Sequence, residues 1–447
     1  MMKCNLLIKS WLIFAAVFSI NTVCGQTTPI PNTPVNLNID QVWDKAAAKN
    51  KSVQIQQLRV DGSKEEILDA KAERLPELTA MGEYARVSNM PVYKNGLFHI
   101  PEQFEVVHTS YRVGGEGYLN LYNGNKTNNN ISRQEIIYKI RSEQKNMTLS
   151  EIKVQAAAYF LDLHRSQIFR TLMQANISDQ QKQLTQIRQL QHNGVVLKSD
   201  VLRAELQLSR QQLTLTQIEN DIAIANQKLD ILMGEPDEMQ VVPIDIPDVE
   251  KLPQKSYEEY LAMAVSNSYQ NKISEQETNL RRLQLKDIRG NVSPKLGLFA
   301  NYAYSYPQVQ FYPYSIALYG VGLAGIRATF PIDAFYHNRH KEKAAEIELK
   351  QQEIEHHNTQ DIIRQKVKEA YLRYEEALTR IRVAQTNIQQ ATESSRIVSN
   401  TYFNQLSLVT ELLESNTQLL QSRFDLAAAQ IAAQLQYYQL QNVIGNL

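Results

Sequence analysis

Residues 296–326 read LGLFANYAYSYPQVQFYPYSIALYGVGLAGI, 31 positions without one Asp, Glu, Lys or Arg. The stretch is long enough for a helix to cross a bilayer, but Pro307 and Pro313 interrupt it. Its many tyrosines and glycines suit membrane strands better. LGLFANYAYSY and SIALYGVGLAGIRATF each alternate, on either side of the turn YPQVQFYPY. The reading is therefore a β-hairpin over about 295–330. Tyr302, Tyr304, Tyr306, Phe311, Tyr312 and Tyr314 are candidates for an aromatic belt at a membrane–water interface. The alternative is an aromatic-rich hairpin in water.

A second, more polar hairpin is predicted upstream, over about 77–121. LTAMGEYARV and YRVGGEGYLNL alternate but carry Glu83, Arg86, Arg112 and Glu116. In a membrane those charges are tolerable only facing a wet lumen or outside the bilayer. An open sheet edge cannot sit in lipid, because each unpaired N–H or C=O group there costs several kcal/mol. Four strands are too few to close a barrel, for which about eight is the minimum. Several copies of the chain must then pool their strands.

Between the hairpins the pattern changes. No proline occurs between Pro101 and Pro236, and Gly194 is the only glycine between Gly124 and Gly234. Residues 128–192 can run as one helix, about 100 Å long at 1.5 Å per residue. Leu149, Ala156, Leu163, Ile177 and Leu184 step by sevens, with a gap at Arg170. After a turn at about 193–199, Val201, Leu208, Leu215, Ile222 and Leu229 do the same. Sustained heptads predict long antiparallel coiled-coil helices packed side by side.

The plan is then written again. IDQVWDKAAAKN (39–50) is answered by SYEEYLAMAVSN (256–267), and LPELTAMGEYA (75–85) by SPKLGLFANYAY (293–304). Ile363, Ala370, Ala377, Ala384, Ala391 and Val398 form a second long seam; Leu412, Leu419, Leu426, Ala433 and Leu440 form a second returning one. HNGVVLKSDVL (192–202) matches FNQLSLVTELL (403–413), and both helical runs stop at a glycine, Gly234 and Gly445. Two internal repeats follow, 40–235 and 256–447, each ordered helix, hairpin, long helix, turn, helix. The second turn falls at about 404–409. In the first repeat Asp40 is read as the cap of a helix running to about Arg74. A proline-rich linker, 236–255, separates the repeats. The fold class is mainly α with β.

Composition excludes some functions. Lys+Arg and Asp+Glu are 47 each, so a nucleic-acid partner is not expected. No glycine-rich phosphate loop, nucleophile elbow or HExxH is present, so no enzyme activity and no cofactor is expected. His337 and His340, or His356 and His357, lack further ligands at metal-site spacing and read as surface histidines. At the N-terminus Lys3 and Lys9 precede the apolar WLIFAAVFSI (11–20), and Val23-Cys24-Gly25 offers a cleavage site. This is a secretory signal peptide over 1–25, followed by an extended lead-in, 26–39. Cys24 also admits a lipoprotein reading, although Asn21, Thr22 and Val23 match that pattern poorly.

The paired strand openers Leu75-Pro76 and Ser293-Pro294, the FPIDAF segment (330–335), and the doubled blocks ending in LMG (232–234) and VIG (443–445) resemble the TolC-like outer-membrane efflux family. The resemblance covers essentially the whole mature chain. LYNGNK (121–126) departs from it in lacking the counterpart of Pro331. The resemblance implies a homotrimer whose four strands per chain make a 12-stranded barrel in outer-membrane lipid, with a helical tunnel in the periplasm. It also implies a periplasmic adaptor (a membrane fusion protein) and an inner-membrane pump of RND or ABC type. The expected function is a passive duct for efflux or type I secretion; the alternative is a periplasmic coiled-coil scaffold without a pore.

By the same resemblance the two turns are the tunnel's far tips. Gly194, Val195, Leu197, Leu406 and Ser407 would dock the adaptor. Glu411, Glu414 and Asp200 would ring the gate, with Arg203 at the remaining corresponding place. Two glutamates about 6 Å apart repel by roughly 0.7 kcal/mol in water and about 3 at an effective dielectric near 20. Such a ring would attract cations and disfavour anions.

Overall fold

The computed structural model describes residues 34–237, 239–309 and 312–447. The signal peptide with Cys24, the lead-in up to residue 33, and Phe311 lie outside the described residues. The chain opens with β1 (Val35–Leu37), α1 (Ile39–Lys49) and α2 (Lys51–Ala72). Then come β2 (Glu77–Arg86), the short β3 (Met90–Val92) and β4 (Glu102–Phe104), and β5 (Thr109–Tyr122). Two long helices follow, α3 (Lys126–His192) and α4 (Lys198–Met233). After β6 (Val241–Pro243) the order is α5 (Tyr257–Asn267), α6 (Tyr269–Arg289), β7 (Lys295–Tyr306), β8 (Tyr319–Thr329), α7 (Ala334–Phe403) and α8 (Val409–Val443).

The helical half has no single core. α3 and α7, of 67 and 70 residues, are each about 100 Å long. α4 folds back along α3, and α8 along α7. Apolar residues gather in a string of clusters along this bundle. Near the turns, Leu184, Ile187, Val201, Tyr402, Val409 and Leu412 pack together. Farther along come Met173, Ile177, Ile218 and Leu420, and then Ala156, Phe160, Leu163, Leu229 and Met233. Marked heptad residues such as Leu163, Leu184, Ala377 and Leu412 are buried, but Leu208, Leu215, Leu419 and Leu426 are half-buried, and Phe160, Met173, Ile187 and Leu420 are buried between the marked positions. Each fully buried leucine contributes roughly 1.5–3 kcal/mol, so the stability is spread along the length.

The first helix differs from its reading. Its cap is Asn38 rather than Asp40: Gln41 N–H donates to Asn38 Oδ1 at 2.9 Å, and Asn38 N–H to Gln41 Oε1 at 3.1 Å. The helix also breaks at Asn50, whose side chain accepts from Ser52 N–H at 2.9 Å and donates to the Leu232 carbonyl at 3.2 Å. A matching break at Ser268 separates α5 from α6. The glycines that end α4 and α8 press on these breaks. Gly234 has φ +66°, and a Cβ there would lie 2.9 Å from Lys49 Cβ. Gly445 has φ +72°, and its Cβ would lie 2.5 Å from the Asn267 carbonyl oxygen. Each glycine thus serves twice, as a left-handed helix stop and as a point of close approach.

The lead-in and the linker meet. Val35–Leu37 pairs in parallel with Val241–Pro243, and Val249 of the linker is buried against Ala377, Ile381 and Ala433. At the far end of the helices β2, β5, β7 and β8 form one antiparallel sheet in that order, leaving β2 and β8 as edges. β3 and β4 make a separate small hairpin inside the 87–108 loop.

Candidate functional site

The strand register decides which side chains share a face. Antiparallel partners lie on the same side of a sheet, and alternate residues lie on opposite sides. β5 and β7 pair with Tyr111 opposite Tyr306 and Gly117 opposite Ala300; β7 and β8 pair with Ala300 opposite Ala324. Following the parity, one face carries Leu78, Ala80, Gly82 and Tyr84, then Tyr111, Val113, Gly115, Gly117 and Leu119. It continues through Leu298, Ala300, Tyr302, Tyr304 and Tyr306 to Gly320, Gly322, Ala324 and Ile326. Between the rims this face has no charge; Arg86, the last residue of β2, shares it at the rim.

The opposite face carries Glu77, Glu83, Arg112, Glu116, Lys295 and Arg327. Glu83 stands directly across from Arg112, and Glu116 from Asn301. Arg327 lies over the Phe299 ring, 4.8 Å from its centroid. A one-residue slip would exchange the two sets, so this segregation specifies the register. Gly320 and Gly322 pack under Tyr302 and Tyr304, so the rings cover backbone that a Cβ would obstruct.

The expected belt is split. Tyr302, Tyr304 and Tyr306 are on the uncharged face, where Tyr302 meets Tyr304 edge-on at 5.3 Å and Tyr306 stacks on Tyr111 at 5.0 Å. Tyr312 and Tyr314 lie beyond β7 in the exposed connection to β8, their rings 6.2 Å apart.

The helical ends form two tips of the same construction. At the first, Gly194 takes φ +70°, its N–H donates to the Gln191 carbonyl at 3.0 Å, and Val195 N–H to that of Leu190 at 2.9 Å. At the second, Gln405 takes φ +62°, its N–H donates to the Tyr402 carbonyl at 2.8 Å, and Leu406 N–H to that of Thr401 at 2.8 Å. Both are Schellman stops. They present apolar side chains to solvent: Leu197 is 71% exposed and Leu406 78%. Val195 is exposed beside them, and Ser407 is half-buried, its Oγ 3.3 Å from Thr401 Oγ1.

Of the predicted gate residues, Asp200 is half-buried and accepts from Leu197 N–H at 3.3 Å, capping α4. Glu411 and Glu414 occupy the first two turns of α8 and are exposed. Sequence reasoning missed two tip residues. Leu408 is as exposed as Leu197, to which it corresponds; applying the 211-residue offset that relates Gly194 to Gln405 finds it. Tyr402 is buried with its hydroxyl unpartnered. Burial first, and then the Asp200 carboxylate, hold that phenol above its ordinary pKa. Asn416 ties the tips together, accepting from Ser395 Oγ at 3.2 Å and donating to Gln183 Oε1 at 2.9 Å.

Residues 42–235 match the family model described as outer membrane efflux protein. Solved structures match nearly end to end. One is of CusC, at 14% identity and TM-score 0.76, covering 92% of each chain. Another is of VceC from Vibrio cholerae, at 14% and 0.74, covering 91% of this chain and 96% of that one. A third is the open state of MtrE from Neisseria gonorrhoeae, at 16% and 0.71, covering 91% and 88%.

This is the fold of the TolC-like outer-membrane efflux proteins. The resemblance carried by the doubled turn-and-heptad blocks is borne out. No curated protein matches the sequence. In a TolC-like frame the charge-segregated sheet and the paired tips are the two ends of one elongated molecule. Among the described residues no helix is long and apolar enough to cross a membrane, and no three His, Cys, Asp or Glu side chains gather as a metal site. His356 instead lies 3.2 Å from Ser274 Oγ, and His337 3.4 Å from Asp333.

Proposed function

We propose that this chain is the outer-membrane duct of a tripartite efflux or type I secretion system, a passive homotrimer. Three copies, each with its two internal repeats, would join β8 of one sheet to β2 of the next, giving four strands per chain and twelve in all. The observation that carries the reading is the confinement of charge between the rims to one sheet face, with Arg86 alone on the other face, at the rim. The uncharged face suits lipid, and the face with Glu83, Arg112 and Glu116 suits a wet lumen. The two open edges, at β2 and β8, support it independently.

The helical tips would lie at the periplasmic end, where an adaptor seats on Gly194, Val195, Leu197, Leu406 and Ser407 and bridges to an inner-membrane pump. Glu411 and Glu414 would give the aperture its cation preference.

Conductance of the purified full chain in planar bilayers tests the duct. An SDS-resistant trimer with discrete channels is expected, and Glu411→Gln/Glu414→Gln should lose cation preference and block by divalent ions. A water-soluble assembly without conductance would replace this reading with the poreless scaffold. Replacing Gly194 and Leu406 with bulky charged residues should abolish export while leaving membrane trimers intact; normal export would remove the docking role.

A further inference from the structure

Behind the linker between β6 and α5 lies a cavity of about 200 Å³. Its walls include His164 on α3, Pro247 on the linker, Ile381 on α7, and Ala427, Ile431 and Gln434 on α8. Roughly 150 Å³ of apolar space is enough to hold a benzene ring. Pro247 is exposed, so the linker side of the cavity meets solvent.

One wall is polar in a defined way. Gln434 is 6% exposed, and its Nε2 donates to the Pro247 carbonyl. A carbonyl can accept only from the NH₂ end of the amide, which fixes the side chain's orientation. Oε1 is left as a buried acceptor without a protein partner. His164 is half-buried on the same cavity, and burial lowers its pKa, so the ring is neutral near pH 7 and offers one donor and one acceptor nitrogen. A buried acceptor of this kind is satisfied by water entering past Pro247, or by a ligand that brings a donor and displaces that water.

We propose that this cavity binds a small single-ring aromatic alcohol. Its ring would pack against Ile381, Ala427 and Ile431, and its hydroxyl would donate to Gln434 Oε1, with His164, Gln430 and Asp248 as the other polar residues of the lining. An occupant here would touch α3, α7, α8 and the linker together, and so tie the two long helices at mid-length. The site is independent of the duct reading.

Phenol is the probe, and toluene, of similar size but without a donor, is its control. Calorimetry and saturation-transfer NMR on the detergent-solubilised full chain should give saturable phenol binding, about two- to thirteenfold tighter than toluene, as one added hydrogen bond predicts. Ala427→Phe fills the cavity and should abolish binding of both. Gln434→Leu should remove the preference for phenol. The proposal fails if wild-type protein shows no saturable phenol binding, if toluene binds equally well, or if phenol binding survives in Ala427→Phe. The wild-type comparison of the two probes stands even if Gln434→Leu loosens the linker.

Discussion

Placing one arginine on each face of β7, at neighbouring positions, tests the membrane sheet directly. β7 has 12 residues and is therefore about 40 Å long. Tilted by about 40°, it rises about 30 Å, enough to cross the hydrocarbon layer. Ala300 and Asn301 sit at its middle. Ala300 lies between Gly117 and Ala324 on the uncharged face, so an arginine there meets small neighbours and its cost is not steric. At the bilayer midplane that charge should destabilise by about 2–4 kcal/mol. Asn301 faces the other way, directly opposite Glu116. Asn301→Arg should be within about 1 kcal/mol of wild type, because it gains a cross-strand ion pair worth roughly 0.2–1 kcal/mol. At 1.4 kcal/mol per tenfold, Ala300→Arg shifts the folding equilibrium by roughly 30- to 700-fold. Guanidinium titrations of the protein in lipid vesicles measure both. Equal penalties, or a larger one for Asn301→Arg, would refute the facial assignment and with it the barrel.

Three further outcomes are expected. Gly445→Ala and Gly234→Ala should each destabilise the full chain by more than about 1 kcal/mol, with Gly445 the worse, since its Cβ meets a backbone oxygen at 2.5 Å. Gly194→Ala has a similar φ but nothing within 4 Å, so it should lose only the left-handed term of about 1 kcal/mol; thermal unfolding ranks the three. Gln405→Gly should stabilise the second tip by up to about 1 kcal/mol, measured the same way, because glutamine there holds a φ that glycine adopts freely. Asp230 is fully buried, and burial, then the nearby Asp237 and Glu235, push its carboxyl up to about 7. Its folded form holds a proton that the unfolded chain releases from about pH 4 upward. Stability should therefore fall between about pH 4 and 7, by at most about 1.4 kcal/mol per pH unit. Asp230→Asn should flatten that part of the profile, and an unchanged profile would show that Asp230 does not titrate as its burial requires.

What the sequence made legible was set by periodicity, and what it hid was set by contacts between distant segments. The heptads of α3 and α7 and the alternation in β7 and β8 are local patterns, each of which states its own burial. Asn50 and Ser268 are residue types that cap helices, but nothing in the local hydrophobic pattern marks a break at either. KNKSVQ (49–54) reads as helix throughout, but the chain turns there, where Gly234, 185 residues after Lys49, packs its backbone onto that lysine. Tyr402 was hidden for the same reason: its neighbour Asp200 comes from the other half of the chain. Leu408 was legible once the offset was applied strictly. The glycines show why the doubled blocks were the most telling feature. A lone Gly at a helix end is common punctuation. Two glycines at matched ends, each left-handed and each pressed against a matched helix break, impose two constraints apiece. A heptad leucine can be exchanged for another apolar residue at modest cost, whereas a side chain at Gly234 or Gly445 meets both a left-handed φ and a contact under 3 Å.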